Sequence, residues 1–206
     1  MSNWIVIGIG ALAQILFSSR LLLQWILSEK QKKVLTPVLF WEFSLLASFL
    51  LFVYGYLRDD FAIMLGQTIT YYIYIRNMQL QHQWEKFSKI LRLFIYLFPV
   101  IILIYGYNNA VEDRINLFHN ENIPAWLFIL GIVSQLLFTC RFIYQWIYSE
   151  KRKESHLPLG FWIISLAGSF LILTYAVFRK DIVLFAGQLT GFIVYFRNIV
   201  IIKKHS

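Results

Sequence analysis

The chain has a single cysteine, Cys140, so no disulfide can form within it and the fold needs no oxidising compartment. Cys140 sits in an apolar run and is expected to act as a small packing residue. Charge is also scarce: 15% of residues are Asp, Glu, Lys or Arg, against about a quarter in soluble domains. The four histidines, His82, His119, His156 and His205, fall in expected loops or the tail and carry no assigned chemistry. No nucleophile–base pair, metal-ligand cluster or glycine-rich phosphate loop is present, which argues against an enzyme and leaves no metal or cofactor to expect. The net charge of +8 does not point to nucleic acid, because the cations cluster at the ends of hydrophobic runs.

What fills the chain instead is apolar: 59% of residues are hydrophobic and 18% aromatic. A transmembrane helix needs about 20 mostly apolar residues. Seven runs meet this: Trp4–Leu27, Pro37–Leu57, Phe61–Met78, Leu91–Tyr107, Ala125–Tyr148, Pro158–Phe178 and Ile182–Ile202. The first carries no cleavage motif and continues into a repeated unit, so it is expected to be retained. Pro37 and Pro158 stand where a helix can begin without losing a donor. Arg58-Asp59-Asp60 and Arg179-Lys180-Asp181 read as short polar hinges between antiparallel helices, with Asp60 and Asp181 as caps. Trp4, Trp25, Trp41, Trp126, Trp146 and Trp162 lie near run ends, as interfacial anchors do.

The chain repeats itself at an offset of 121 residues without a gap, and 27 of the 64 positions from Gln14 to Asn77 recur in Gln135–Asn198. This predicts an all-α integral membrane protein of seven helices, arranged three, one, three. The first repeat covers 1–80, a linker with the fourth helix covers 81–121, and the second repeat covers 122–206. A single linker helix gives both copies the same orientation, as parallel repeats. Thirteen basic residues fall in one set of loops and four in the other, which puts the N-terminus outside, the C-terminus in the cytoplasm and Asn108–Pro124 in the longest outer loop.

Polar side chains inside such helices are costly and tend to be functional. The first helix of each copy carries Gln14, Arg20 and Gln24, repeated as Gln135, Arg141 and Gln145. The third carries Gln67, Tyr74, Arg76 and Asn77, repeated as Gln188, Tyr195, Arg197 and Asn198. Ser44, Ser48, Ser165 and Ser169 add hydroxyls on the second helices, and Trp41 and Trp162 offer faces on which a sugar can stack. At 3.6 residues per turn these polar positions form a seam that must face protein or a wet cavity. Arg20 and Arg141 have no carboxylate recurring near them. Either they snorkel to the inner headgroups and mark topology, or they bind an anionic group such as a lipid phosphate. The glutamines and serines either tie helices together or contact substrate.

The string Gln-x2-Phe-x2-Arg-x3-Gln-Trp-x2-Ser-Glu-Lys, then Pro-x2-Phe-Trp-x2-Ser, Gly-Gln and Tyr-x-Arg-Asn, resembles the lipid-A biosynthesis N-terminal domain. It occurs at Gln14–Asn77 and again at Gln135–Asn198. The resemblance implies a bacterial inner-membrane protein of envelope glycolipid metabolism. It also implies kinship with the three-plus-one-plus-three fold of SWEET sugar transporters, PQ-loop proteins and KDEL receptors. Two features depart from those relatives: Pro37 precedes Val38 and Pro158 precedes Leu159 where a Pro-Gln pair is typical, and no proline interrupts the first helix of either copy. Seven spans also leave no room for the soluble synthase domain to which the module is fused elsewhere.

Three functions follow as expectations. In the first, the protein translocates a lipid-linked sugar, a polyprenyl-phosphate sugar or glycolipid, by rocking one repeat against the other, with membrane lipids as further partners. Arg20, Arg141, Arg76 and Arg197 then meet the phosphate, while the Gln, Tyr, Asn and Trp side chains meet the sugar. In the second, the protein is a non-catalytic partner or scaffold for a glycosyltransferase. In the third, it transports a small soluble sugar.

Overall fold

The computed structural model describes residues 3–57, 61–106, 124–179 and 182–205. All regular structure among them is helical: α1 (Asn3–Gln31), α2 (Val38–Leu57), α3 (Phe61–Leu80), a 3₁₀ turn (Trp84–Lys86), α4 (Lys89–Gly106), α5 (Ala125–Arg152), α6 (Leu159–Arg179) and α7 (Ile182–His205). The expected hinge residues Arg58, Asp59, Asp60, Lys180 and Asp181 lie outside the described residues, and so does most of the loop Asn108–Pro124. Among the described residues, four helices are long and apolar enough to cross a membrane: α1, α2, α5 and α6.

Helix ends follow local chemistry. Pro37 and Pro158 stand one residue before α2 and α6, outside the helices rather than at their first positions. They stop the preceding residue from entering an α conformation. Helices α1, α3 and α5 all close on a left-handed residue that is not glycine: Lys32 (φ 52°), His82 (φ 55°) and Lys153 (φ 56°). In each, two backbone amides turn back onto the last carbonyls. Lys33 N–H donates to Ser28 O at 3.2 Å, Gln83 N–H to Met78 O at 3.0 Å and Glu154 N–H to Ser149 O at 3.3 Å. The companion bonds run from Lys32 to Glu29, His82 to Gln79 and Lys153 to Glu150, completing three Schellman ends.

Helix α4 contains Pro99 in its interior. Proline has no amide hydrogen, so the carbonyl four residues back loses its usual donor. That carbonyl belongs to Ile95, and the Tyr71 hydroxyl from α3 donates to it at 3.1 Å. The Tyr72 hydroxyl donates to the next carbonyl, Tyr96 O, at 2.8 Å. Two adjacent tyrosines on α3 therefore serve the backbone around the proline.

The chain forms two compact units, Met1–Arg20 with Val38–Asn120 and Leu21–Pro37 with Glu121–Ser206. Helix α1 thus contributes its first part to one unit and its second part to the other. Within each unit two helices approach at a glycine. A Cβ on Gly10 would lie 2.9 Å from the Tyr54 ring, and one on Gly131 would lie 3.3 Å from the Tyr175 ring. These are equivalent positions of the repeat, and the absent side chain makes room for the ring.

Candidate functional site

The repeated arginines are the centre of the site, and neither reaches the surface: Arg20 is 4% exposed and Arg141 is 6% exposed. Snorkelling to headgroups is therefore not what they do in this conformation. In the first unit the Arg20 guanidinium donates to the Ser44 hydroxyl of α2, which in turn donates to the Phe40 carbonyl. Its central carbon lies 4.7 Å from the Phe17 ring, 5.0 Å from Phe40 and 5.4 Å from Tyr74. In the second unit the Arg141 guanidinium donates to the Tyr195 hydroxyl at 3.0 Å. Four rings enclose it: Phe138 at 3.9 Å, Phe142 at 4.8 Å, Tyr195 at 5.5 Å and Phe161 at 5.7 Å.

Each unit thus builds one guanidinium cage from the same parts. Phe17 and Phe138 sit one turn before their arginine on the same helix, where i and i+3 side chains meet. Phe40 and Phe161 come from the start of the second helix, and Tyr74 and Tyr195 from the third. Trp41 and Trp162 pack beside the tyrosines, their rings 5.9 Å from Tyr74 and 6.1 Å from Tyr195. Ser165, the counterpart of Ser44, likewise donates to the carbonyl four residues back, Phe161 O at 2.6 Å, while the Arg141 guanidinium donates to the tyrosine; Phe142 adds a ring where the first copy has Leu21. Arg141 Nε is buried with no hydrogen-bond partner, and among the described residues no carboxylate pairs with Arg141. A desolvated cation held by a hydroxyl and ring faces is a strong potential ligand for a phosphate oxygen.

Other expected site residues have partners of their own. Gln24 and Gln145 are completely buried. Gln24 Nε2 donates to Ser28 Oγ at 2.9 Å and to Leu35 O at 3.3 Å, and Leu35 N–H donates to Ser28 Oγ at 3.0 Å. The second copy repeats this: Gln145 Nε2 to Ser149 Oγ at 2.8 Å and to His156 O at 2.9 Å, with His156 N–H to Ser149 Oγ at 3.0 Å. The Gln–Ser pairs staple the following loop back onto the helix. Gln24 and Asn198 also exchange amide bonds in both directions, at 2.9 and 3.2 Å. Asn198 and Asn77 each donate to the carbonyl four residues back, at 2.9 Å.

Gln67 and Gln188 receive hydroxyl bonds from the second helix, Ser48 to Gln67 Oε1 at 3.0 Å and Ser169 to Gln188 O at 3.1 Å. Arg76 donates to Gln79 Oε1 at 3.1 Å. The structure corrects four placements. Gln14 is exposed rather than part of an inward seam, and the side chain of its counterpart Gln135 lies outside those described. Arg197, expected to face a phosphate beside the buried arginines, is partly exposed and donates through two nitrogens to the Glu29 carboxylate, so its charge is already balanced. Trp41 and Trp162, read as interfacial or stacking faces, are fully buried, and Trp162 Nε1 donates to Leu157 O at 3.2 Å. Cys140 is exposed, not packed. Sequence reasoning also did not assign the cage phenylalanines a role. Their signal was the Phe-x2-Arg spacing, present in both copies.

The profile of the Lipid A Biosynthesis N-terminal domain matches residues 9–79 and again 130–200. The lipid-A-disaccharide synthase of Chlamydia felis (strain Fe/C-56) is 29% identical over 96% of this chain and 33% of its own length. That of Chlamydia pneumoniae is 30% identical over 84% of this chain and 30% of its own length. That of Chlamydia trachomatis serovar D is 26% identical over 85% and 30% respectively. The chain therefore spans about a third of the length of these curated relatives. No solved structure matches it. The chain belongs to the lipid A biosynthesis N-terminal domain family and carries that domain twice.

Proposed function

We propose that this protein moves a lipid-linked sugar, a polyprenyl-phosphate sugar or a related glycolipid, across the bacterial inner membrane in the service of lipid A or envelope glycolipid synthesis. In this reading the chain crosses the membrane seven times in the parallel three-plus-one-plus-three manner of SWEET proteins, with its N-terminus outside. The observation that carries the proposal is the Arg141 cage: a buried guanidinium with a free Nε, one hydroxyl partner and no carboxylate among the described residues. Such a group is costly in hydrocarbon unless an anion visits it. A phosphate offers two oxygens to a guanidinium fork, which an ammonium or a hydroxyl cannot match. Tyr195 and Tyr74 then stand beside the headgroup. Arg197 is left to its pair with Glu29.

The test is scrambling. Purified protein in liposomes is given a fluorescent polyprenyl-phosphate sugar, and the fraction accessible from outside is followed. Transfer between leaflets is expected with the parent chain and lost with Arg141→Gln. Transfer that persists at the parental rate in Arg141→Gln refutes the assignment.

A second reading is favoured by one observation. The curated relatives named lipid-A-disaccharide synthase contain the matching region within a chain about three times as long. This chain would then serve as a membrane partner that positions a separate glycosyltransferase. Absence of scrambling, together with a glycosyltransferase that copurifies in stoichiometric amount, decides for that reading.

A further inference from the structure

We propose that the groove between the 3₁₀ turn and α4 is a binding site for an acidic phospholipid, separate from the guanidinium cages. The groove is a shallow, open one of about 400 Å³, lined by Trp84, Lys89, Arg92, Leu93, Tyr96 and Leu97. Five of these are on α4 at intervals of three and four residues, so they form one stripe along the helix. The stripe is ordered by polarity. Lys89 and Arg92 occupy its beginning, and Leu93, Tyr96 and Leu97 continue it for a further turn. At 1.5 Å per residue the whole stripe is about 12 Å long.

That order is the order of a phospholipid: an anionic headgroup, then acyl carbons. Among the described residues no carboxylate lines the groove. Glu85 belongs to the neighbouring turn but does not line it, and Lys86 on the same turn adds a further cation nearby. The apolar part is open to a ligand, with Leu93 61%, Tyr96 48% and Leu97 42% exposed. Trp84 is 7% exposed and forms a fixed wall, its ring 5.9 Å from Phe87. Trp and Tyr at a headgroup level, beside two cations, are the features that hold a lipid at a membrane interface. A protein helix would find only two cations and an apolar strip too short for two turns of its own. A lipid uses both ends of the stripe at once.

The proposal is tested with the full chain in detergent micelles by native mass spectrometry, using phosphatidylglycerol and phosphatidylcholine of identical acyl chains. The parent is expected to retain phosphatidylglycerol in preference to phosphatidylcholine. Lys89→Gln with Arg92→Gln is expected to weaken phosphatidylglycerol binding by about thirtyfold, from the usual contribution of two basic residues near anionic lipid. Leu97→Asn is expected to weaken both lipids. Lys151→Gln with Arg152→Gln, a basic pair on α5, is expected to leave phosphatidylglycerol binding unchanged. Three results overturn the proposal: equal loss in the α5 pair, which means diffuse charge attraction; undiminished binding in the α4 pair; or competition by glycerol phosphate as effective as by the whole lipid. No sugar substrate enters the measurement, so its outcome is independent of the scrambling test.

Discussion

Replacing Arg141 by methionine separates a functional guanidinium from a structural one. The charge is buried, and taking an ion out of water costs several kcal/mol even after the protein relaxes. Against this stand two returns in the structure. Contact with ring faces, nearest at 3.9 Å on Phe138, is worth about 2 kcal/mol when desolvated. The hydrogen bond to the Tyr195 hydroxyl at 3.0 Å is worth about 1.5 to 3 kcal/mol, being made by a charged donor. These returns, together about 3.5 to 5 kcal/mol, roughly offset that cost, and replacing a buried ionic group by an apolar one of similar volume is typically neutral or stabilising by about 1 to 4 kcal/mol. Methionine keeps most of the length, carries no charge and makes favourable sulfur–aromatic contacts with the same rings. Arg141→Met is therefore expected to unfold about 1 kcal/mol less readily than the parent, a rise of roughly 2 to 4 °C in midpoint for a chain of this size. The assay is thermal unfolding in a fixed detergent, run beside the scrambling assay. Higher stability with lost transfer supports the cage as an anion seat. Lower stability by more than about 1 kcal/mol, with Arg141→Lys restoring it, refutes the reasoning and makes the arginine a tie between helices.

Tyr71→Phe should cost about 1 to 3 kcal/mol, because it strips the donor from the Ile95 carbonyl. In a Pro99→Ala background the newly available amide at position 99 can reclaim that carbonyl, so the same change should cost less. A double-mutant cycle by thermal or denaturant unfolding checks this, and strict additivity would overturn the account. Lys32→Gly and Lys153→Gly should each stabilise by about 1 kcal/mol, since both lysines hold left-handed backbone that glycine adopts freely. Equal or lower midpoints would contradict the Schellman reading. Gly10→Ala should destabilise by about 1 to 3 kcal/mol and Gly131→Ala by less, because the Tyr54 ring is nearer than the Tyr175 ring. The ranking of the two midpoints decides it.

Much of the fold could be anticipated from residue patterns. The gapless repeat, the apolar runs and the proline positions placed the helix starts, and every helix except α4 begins at or next to the expected residue. The Arg and Tyr pairs of the cages were also visible, because both copies kept them. The cage walls were not. A phenylalanine in an apolar helix looks the same whether it faces lipid, core or a cation, and only the Phe-x2-Arg spacing hinted at the last. The glutamines illustrate the converse. Gln24 is conspicuous in an apolar run, yet its amide is taken up by Ser28, Leu35 and Asn198. Gln14 is equally conspicuous on the same helix and is exposed.

The class of protein, the duplication, the helical periodicity and the family are all properties of the bare chain, since each depends on local composition and on spacing between residues. Which polar group is satisfied and which is left over emerges only when the helices pack. Periodicity assigns a side chain to a face of its helix, but its partner comes from another helix far away in the chain. Asn198 meets Gln24 across 174 residues and Arg197 meets Glu29 across 168. Those contacts remove Arg197 from the set of unbalanced cations. They leave Arg141 buried among rings, with its Nε unpartnered and no carboxylate pairing with it among the described residues.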